Sequence, residues 1–379
     1  MRELAYLARH PDSGVPTTFV PTRLVMGHTA SAGVFCCLSA ETALILAAQG
    51  IRCTIWLDDL CCGADDEATA VADFVKVQVL LAALGWEVNP AKSTSPSQHA
   101  TYLGLQINTD TGTVSLDAAR RAEFRALIKP LLASADRGKP VKTRDVQRVA
   151  GKLNWASRAV VGSKAFTVAI GTAGRRAMPT TRLSHWAVAD LRWWSTAGCS
   201  EGMGTRAWMR GESIKFASFT SDASGTRNYG GHTANDFVYG QYSEAEMPLS
   251  VDYKELVATL RCLQHWTGIK RGDGAPPASP DFAPWRDMVV LIGTDSAVNC
   301  FRLNNGKAGP AEAAHVIPVL REVHACCHAA RVQMIAVHCP RKLNTLSDRL
   351  AAAPSYRAAE ATFRRRVWLD GVLSAAPEA

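Results

Sequence analysis

Short apolar runs alternate with turn residues over residues 17–108. Within this stretch, residues 53–57 form an apolar run that predicts a strand ending in two acids. Residues 68–84 carry apolar positions at helical spacing, which predicts an amphipathic helix ended by Gly85; those positions are Val71, Phe74, Val75, Val79 and Leu80. The first third of the chain therefore predicts an α/β unit.

A second pattern begins at Thr143, where apolar residues recur every three or four positions up to residue 160. The stripe predicts an amphipathic helix, and the remaining positions make it basic. The stripe consists of Val146, Val149, Leu153 and Ala156, and the basic residues are Arg144, Arg148, Lys152 and Arg158. A bundle-like region is therefore expected after the first α/β unit.

Four tryptophans follow within residues 186–208 and are interleaved with Arg192 and Arg206. Indole rings beside basic side chains can stack on bases while the charges hold phosphates, so Trp193 and Trp194 are candidate nucleic-acid contacts. The alternative is that they are core aromatics of a connecting region. The sequence leaves both interpretations open.

From residue 216 the pattern changes again and predicts a new domain. Residues 216–221, 229–233 and 237–242 predict three short strands, residues 251–266 a helix, and residues 288–294 a nearly all-apolar strand that ends at Asp295. Residues 272–284 are rich in Gly, Pro and Ala and predict a surface loop.

Composition narrows the class of protein. A chain of 379 residues suggests two to three domains, and 47% hydrophobic against 20% charged residues excludes a mainly disordered chain. The net charge of +8 favours a polyanionic partner, with nucleic acid first. We find no apolar run of about 20 residues and no secretory signal, so we expect a soluble, intracellular protein without a membrane partner, cytoplasmic or nuclear or both. The 11 cysteines show no C-x-x-C and are expected to be reduced and mostly buried.

Four carboxylates in the second half carry the most chemical information. Asp222 follows the first strand of that half, Glu255 lies in the helix, Asp295 follows the apolar strand, and Asp348 lies near the C-terminal end. Two-metal phosphodiester hydrolysis needs hard oxygen ligands that converge from distant parts of the chain, and strand ends with a facing helix can provide them. Any one of these acids alone is more often a helix cap or a solvated charge.

The segments around these acids resemble the four motifs of a ribonuclease H domain, in the order of that family. They are Thr-Ser-Asp-Ala-Ser at 220 to 224, Tyr-Lys-Glu-Leu-Val-Ala at 253 to 258, Gly-Thr-Asp-Ser at 293 to 296 and Asn-Thr-Leu-Ser-Asp-Arg-Leu-Ala at 344 to 351. The resemblance covers residues 214–352. It implies cleavage of RNA in RNA–DNA hybrids with Mg²⁺, or Mn²⁺, held by Asp222, Glu255, Asp295 and Asp348.

The same resemblance adds two polar residues to the expected site. It places a mobile histidine ten residues before the last acid, where His338 stands, and Asn344 also matches the family motif as a nucleic-acid contact. For His338 the alternative is a strand-end histidine without a role in proton transfer.

The paired acids Asp58 and Asp59 lie between two apolar runs, as metal ligands do at the hairpin of a nucleotidyl transferase. The predicted helix follows, then Gly-Trp-x-x-Asn-x-x-Lys at 85 to 92 and Tyr-Leu-Gly at 102 to 104. This series resembles the palm of a reverse transcriptase. It implies that Asp58 and Asp59 are catalytic, that Asp58 binds metal, and that Lys92 contacts nucleic acid or nucleotide.

Residues 24–35 resemble the stretch of that family that contacts the incoming nucleotide and the template, here through Gly27 and Phe35. Val25, Met26 and Gly33 depart from its pattern. Gly-Lys-Leu-Asn-Trp at 151 to 155 and Asp-Leu-Arg-Trp-Trp at 190 to 194 are similar to the thumb and connection of tyrosine-recombinase, DIRS-like, retrotransposons.

A palm also needs an aspartate upstream of residue 24, and we find none. The expected polymerase half is therefore incomplete, as in a reading frame that begins inside the palm or a chain clipped at its start. The overall expectation is an α/β protein with a partial α+β palm at residues 1–110, thumb or connection helices at 111–212, a ribonuclease H-like domain with a five-stranded mixed sheet at 213–355, and a C-terminal tail at 356–379.

The expected function is that of a retroelement RNA-directed DNA polymerase and ribonuclease H fragment, with RNA–DNA hybrid and primer-template as partners. Two alternatives stay open. One is a catalytically dead remnant that only binds nucleic acid through its basic surface. The other, less favoured because residues 56–104 and 151–194 both resemble a polymerase, is a host ribonuclease H with an unrelated N-terminal domain.

Overall fold

The structure is a computed structural model that describes residues 6–19, 24, 28–175, 177–200, 204–206, 215–225, 227–269, 284–309 and 313–374. The chain divides into two compact units, Met1–Gly104 and Leu105–Ala379. Each unit has a hydrophobic core of its own. The finer domain boundaries expected from the sequence stay predictions.

Unit 1 is built around a small hydrophobic core of Leu46, Ile51 and Val77. Its two antiparallel strand pairs are β1 with β2 and β3 with β4. Its elements are β1 Tyr6–Arg9, β2 Pro16–Phe19, α1 Thr29–Ala48, β3 Arg52–Trp56, β4 Asp59–Gly63, α2 Glu67–Ala83, a 3₁₀ helix Pro90–Lys92 and β5 His99–Tyr102.

Helix α1 corrects the expectation that no apolar run approaches membrane-spanning length. It has 20 residues, an 18-residue window of mean hydropathy 1.7, and only 17% of that window buried. Glu41 is its single charged residue, and the Ser and Thr residues that interrupt the apolar run lower its hydropathy only slightly. By length and composition this helix is able to cross a membrane, although core helices of soluble proteins pass the same test.

The first part of unit 2 is a helical region with its own core. Helix α4 buries the predicted stripe, Val146, Val149, Leu153 and Ala156, against Phe124, Ile128 and Ile170. The elements are β6 Leu105–Asn108, β7 Thr113–Ser115, α3 Ala118–Asp136, β8 Val141–Lys142, α4 Thr143–Ala156, a 3₁₀ helix Lys164–Thr167, α5 Val168–Gly174, β9 Thr180–Thr181, α6 His185–Ser195, a 3₁₀ helix Ala197–Cys199 and β10 Thr205–Arg206.

The second part of unit 2 contains a five-stranded sheet in the order β13-β12-β11-β14-β15. Strands β11, β12 and β13 are antiparallel neighbours, whereas β14 runs parallel to both β11 and β15. The predicted α/β class with a five-stranded mixed sheet is therefore confirmed. The elements are β11 Phe216–Ala223, β12 Asn228–His232, β13 Phe237–Gln241, α7 Val251–Thr267, β14 Val289–Thr294, α8 Ala297–Asn305, α9 Ala313–Ala330, β15 Gln333–His338, α10 Thr345–Ala352 and α11 Tyr356–Ser374. The expected loop at 272–284 lies outside the described residues up to position 283.

Two adjacent glycines of β12 show how closely helices pack on this sheet. A Cβ at Gly230 would lie 2.6 Å from the Leu350 Cβ of α10, and a Cβ at Gly231 would collide with Cys262 of α7. Successive strand residues point to opposite faces. Helices α7 and α10 therefore cover opposite faces of β12, and each needs a residue without a side chain beneath it.

The expected C-terminal tail is largely a helix. Helix α11 covers the edge strand β13, where Phe363 stacks on Phe237 with 5.1 Å between ring centroids and Tyr356 lies 5.4 Å from the same ring. Phe363 is buried, and its packing on Phe237 holds this helix against the sheet.

Arg321 of α9 joins the sheet part of unit 2 to the helical region. Its guanidinium lies over the rings of Trp186 and Phe166, at 4.8 and 5.3 Å from their centroids, and forms an ion pair with the fully buried Asp190 of α6. His328, also on α9, donates from Nδ1 to the Val161 carbonyl oxygen at 2.8 Å. The two parts of unit 2 thus share buried polar contacts.

All 11 cysteines are free thiols, and most of them are not buried, contrary to the expectation from the sequence. The four buried ones are Cys199, Cys262, Cys326 and Cys327. The others lie mainly in unit 1, whose small core has little room for them.

Candidate active site

Asp222 and Asp295 lie side by side because of the register between two parallel strands. Thr220 of β11 pairs with Gly293 of β14; Asp222 lies two positions after Thr220 within β11, and Asp295 lies two positions after Gly293, directly after the end of β14. Residues two apart point to the same face of a sheet. The sequence predicted both acids after strands; Asp295 follows β14 as predicted, whereas Asp222 lies within β11, and the register brings the two acids together.

Helix α7 brings Glu255 to the same point. Ser250 caps the start of the helix, and its hydroxyl accepts a hydrogen bond from the Tyr253 backbone N–H at 3.3 Å. One turn after Glu255, the Thr259 hydroxyl lies 3.0 Å from the Ser221 hydroxyl, beside Asp222. This contact between α7 and β11 fixes the position at which Glu255 faces the two aspartates.

The three acids form one cluster, in which a ligand oxygen of each lies within 4.8 Å of the others. Burial raises the pKa of Glu255 to about 7, and the negative charges of Asp295, Asp222 and Asp252 contribute. Burial also raises the pKa of Asp222 to about 6, against a hydrogen bond of 2.7 Å from the Ala223 backbone N–H that lowers it. The positive charge of Arg341 lowers the pKa of Asp222, but it is the smallest of the contributions.

The cluster fits a divalent metal ion on two observations. Carboxylate oxygens are the ligands that Mg²⁺ and Mn²⁺ prefer. In addition, Oδ1 of Asp295 is buried and has no hydrogen-bond partner among the described residues. A buried polar atom without a partner is costly, and a bound cation would satisfy it.

Asp348 lies apart from the three clustered acids. It sits in the first turn of α10, about half exposed, with Oδ1 at 3.7 Å from Nη2 of Arg341. Its charge still contributes to the raised pKa of Asp222. The structure therefore brings three of the four predicted ligands together and leaves the fourth at the margin of the site.

His338 and Asn344 occupy different environments. His338 ends β15, where it pairs in register with Thr294, and its exposed ring places Nε2 3.1 Å from the Asp295 backbone oxygen. Asn344 is fully buried and donates from Nδ2 to the Ser221 carbonyl oxygen at 3.3 Å. Its position leaves no surface for direct contact with nucleic acid, whereas its backbone oxygen holds the Asp348 N–H at 3.1 Å.

Asp58 and Asp59 lie at the predicted hairpin. The pairing of Trp56 with Asp59 leaves Leu57 and Asp58 as a two-residue turn, with Leu57 in the left-handed region at φ 54°. Ser39 of α1 donates to the Leu57 carbonyl oxygen at 2.7 Å and holds this turn. Both acids are exposed, and among the described residues no group of three metal-ligating side chains includes either of them. Their catalytic role stays a prediction.

Two of the other expected contacts of unit 1 lie within the described residues. Phe35 is half-buried and meets Trp86 edge to face, with 5.6 Å between centroids. Lys92 is exposed at the end of its 3₁₀ helix. Gly27, the third, lies outside the described residues.

The two tryptophans of α6 pack against the helical core. Trp194 has no exposed surface and donates from Nε1 to the Phe166 carbonyl oxygen at 3.0 Å. Trp193 is half-buried and stacks on the Phe166 ring with 4.1 Å between centroids. No face of Trp194 is available to a base, so the interpretation as a core aromatic fits it, and Trp193 already has a stacking partner.

No family model matches the chain, and no curated protein matches it. Among solved structures, it is similar to a foamy viral protease-reverse transcriptase in complex with RNA/DNA hybrid, at a TM-score of 0.44 and 15% identity, over 84% of this chain and 39% of that one. Two structures of foamy viral protease-reverse transcriptase with double-stranded DNA match at TM-scores of 0.43 and 0.42, with 15% and 17% identity, over 84% of this chain and 51% and 61% of theirs. The chain spans less than two thirds of each, and likenesses at TM-scores below 0.5 are too weak to assign an activity.

Sequence reasoning missed the residues that support Glu255. Asn299 of α8 donates from Nδ2 to Glu255 Oε2 at 3.1 Å, and Arg302 donates to Oδ1 of Asn299 at 3.0 Å. Neither residue lies in a motif. Their spacing from Asp295 points to the site only when it is known that α8 starts just after that acid.

Proposed function

We propose that the second part of unit 2 is a ribonuclease H-like nuclease that cleaves the RNA strand of RNA–DNA hybrids with divalent metal ions. The observation that carries this proposal is the cluster of Asp222, Glu255 and Asp295 at one edge of a mixed sheet. The order of the four motif segments along the chain supports the choice of substrate class.

In this proposal the three clustered carboxylates hold Mg²⁺ or Mn²⁺. A cation bound there would act as a Lewis acid, which would activate water and stabilise negative charge on the phosphate. Asp348 joins the site from α10, after its exposed ion pair with Arg341 opens; such pairs contribute little, about 0 to 1 kcal/mol.

His338 is proposed to move a proton. Its ring is exposed at the rim of the site and its Nε2 is hydrogen-bonded to a backbone oxygen of Asp295, so the imidazole can exchange protons with solvent. Asn344 is proposed to have a structural role: its buried side chain holds the start of α10 against β11.

For unit 1 we propose an incomplete polymerase palm whose paired acids, Asp58 and Asp59, are exposed on a hairpin turn. Such a site needs a third carboxylate to hold two metals. The whole chain would then be a fragment of a retroelement polyprotein that acts inside the cell on hybrid and primer-template, with a DIRS-like origin proposed from the motif resemblance alone.

The proposal is tested with a hybrid duplex whose RNA strand carries a fluorescent label. The wild-type protein is expected to cleave that strand in Mg²⁺ or Mn²⁺ and to leave it intact in EDTA. Asp295→Asn is expected to abolish cleavage, because an amide cannot supply the charge that the metal requires. Asp136→Asn, which changes an exposed acid paired with Arg192 in the helical region, serves as the matched control.

Full activity in Asp295→Asn would refute the assigned site. Binding of the hybrid by the wild-type protein, without cleavage under any of these conditions, would favour the alternative of a catalytically dead remnant.

A further inference from the structure

Helix α8 begins directly after Asp295 and places one of its side chains beneath Glu255. The Ser296 hydroxyl accepts from the Asn299 backbone N–H at 3.2 Å and so fixes the start of the helix. As a result Asn299, which is buried, faces α7 rather than solvent.

The amide of Asn299 contacts α7 through its nitrogen. Nδ2 donates to Glu255 Oε2 at 3.1 Å and to the Asp252 carbonyl oxygen at 2.8 Å. One donor group thus joins the carboxylate of Glu255 to the backbone of the helix that carries it.

The orientation of this amide is set from the other side. Arg302, buried one turn later in α8, donates from Nη1 to Oδ1 of Asn299 at 3.0 Å. If the amide were turned over, its nitrogen would face the guanidinium and its oxygen would face two acceptors, and neither contact would be a hydrogen bond. Arg302 therefore holds the amide with its donors toward Glu255.

We propose that Asn299 is a positioning residue, oriented by Arg302, that fixes the Glu255 carboxylate and leaves its second oxygen for a metal ion. This inference rests on the proposed function only for the identity of the metal site. Groups that orient ligands from behind typically contribute about 10- to 100-fold to metal affinity or activity.

The test measures binding of Mn²⁺ alone, without nucleic acid, by isothermal titration calorimetry on the full chain. Asn299→Leu keeps the side-chain size and removes the donor, so Mn²⁺ affinity is expected to fall about 10- to 100-fold. Asn304→Leu is the matched control: this asparagine lies in the same helix but bonds the backbone of Ala336 on β15, so Mn²⁺ affinity is expected to stay at the wild-type value.

Arg302→Leu is the second variant. It frees the Asn299 amide to turn, and a smaller loss of Mn²⁺ affinity is expected. In the Asn299→Leu background the same change is expected to have no further effect, because the hydrogen bond it would remove is already gone. Circular dichroism confirms that each variant is folded.

Unchanged Mn²⁺ affinity in Asn299→Leu would overturn the inference, and if that variant fails to fold, unchanged affinity in Arg302→Leu would do so. Weakened Mn²⁺ binding in the variants together with no cleavage by the wild-type protein would support the role of Asn299 and refute the proposed nuclease. A wild-type protein that binds no Mn²⁺ would refute both.

Discussion

Asp295→Asn is expected to stabilise the metal-free protein while it abolishes cleavage. The pKa values of Asp222 and Glu255 are raised to about 6 and about 7, above the ordinary values of 3.8 and 4.5, so the folded state favours their protonated forms. Their contribution to stability is therefore fully present below about pH 4 and is lost as the pH rises through 6 and 7. At pH 8 the charged cluster works against folding.

The size of the effect follows from these two pKa values. One pKa unit corresponds to about 1.36 kcal/mol, and burial is the larger cause for both groups, with Asp295 among the charges that add to it. Removal of the Asp295 charge should therefore raise the free energy of unfolding by about 1 to 3 kcal/mol at pH 8. An amide in the same place can also donate to the neighbouring carboxylates.

Calorimetric melting in EDTA at pH 8 and pH 5 measures this difference. Asp295→Asn should melt higher than wild type at pH 8, by about 2 to 4 °C per kcal/mol, and the gain should shrink at pH 5, where Asp222 and Glu255 are mostly protonated. Asp136→Asn should show neither effect. Mg²⁺ should raise the melting temperature of the wild type and of Asp136→Asn, but not that of Asp295→Asn. A lower melting temperature for Asp295→Asn than for wild type at pH 8 would contradict the electrostatic reasoning.

Three further predictions concern packing and charge. Trp194→Ala should destabilise unit 2 by about 3 to 5 kcal/mol in urea unfolding, because it empties a fully buried site; a loss of hybrid affinity at unchanged stability would instead indicate stacking on nucleic acid. Arg321→Leu should lower the free energy of unfolding in urea by about 3 to 5 kcal/mol, because it leaves the charge of Asp190 buried without its partner. A variant as stable as the wild type would show that the pair is dispensable. Hybrid binding should weaken steeply as salt rises, and an affinity independent of salt would mean that the net charge of +8 has no part in binding.

The sheet and its acids were predictable because they depend on short-range pattern and on chain order. Strand runs that end in Asp222 and Asp295 can be identified without a structure, and parallel pairing then brings the two acids together. The hairpin at Asp58 follows from two apolar runs around a short polar turn in the same way.

Other features depend on tertiary contacts that leave no local signal. Helix α1 has no pronounced polar face, and its buried positions are mainly Ser39, Thr42 and Leu46, so periodicity did not mark it as a helix. Asn299 gains its meaning from a neighbour 44 positions away. The sequence allows the indoles of α6 to lie in a core or on a surface, and the stacking of Trp193 on the Phe166 ring is a tertiary contact that it does not encode locally.

The contacts made by α9 also bear on how this protein can be divided. A gene fragment that begins near residue 213 would follow the motif boundary. It would, however, lack Asp190, Trp186 and Phe166, the partners of Arg321, and would expose the face of α9 that they cover. The compact unit that contains the sheet begins instead near residue 105. Transfer of the sheet part into another protein would therefore be expected to require the helices that precede it as well, as one block.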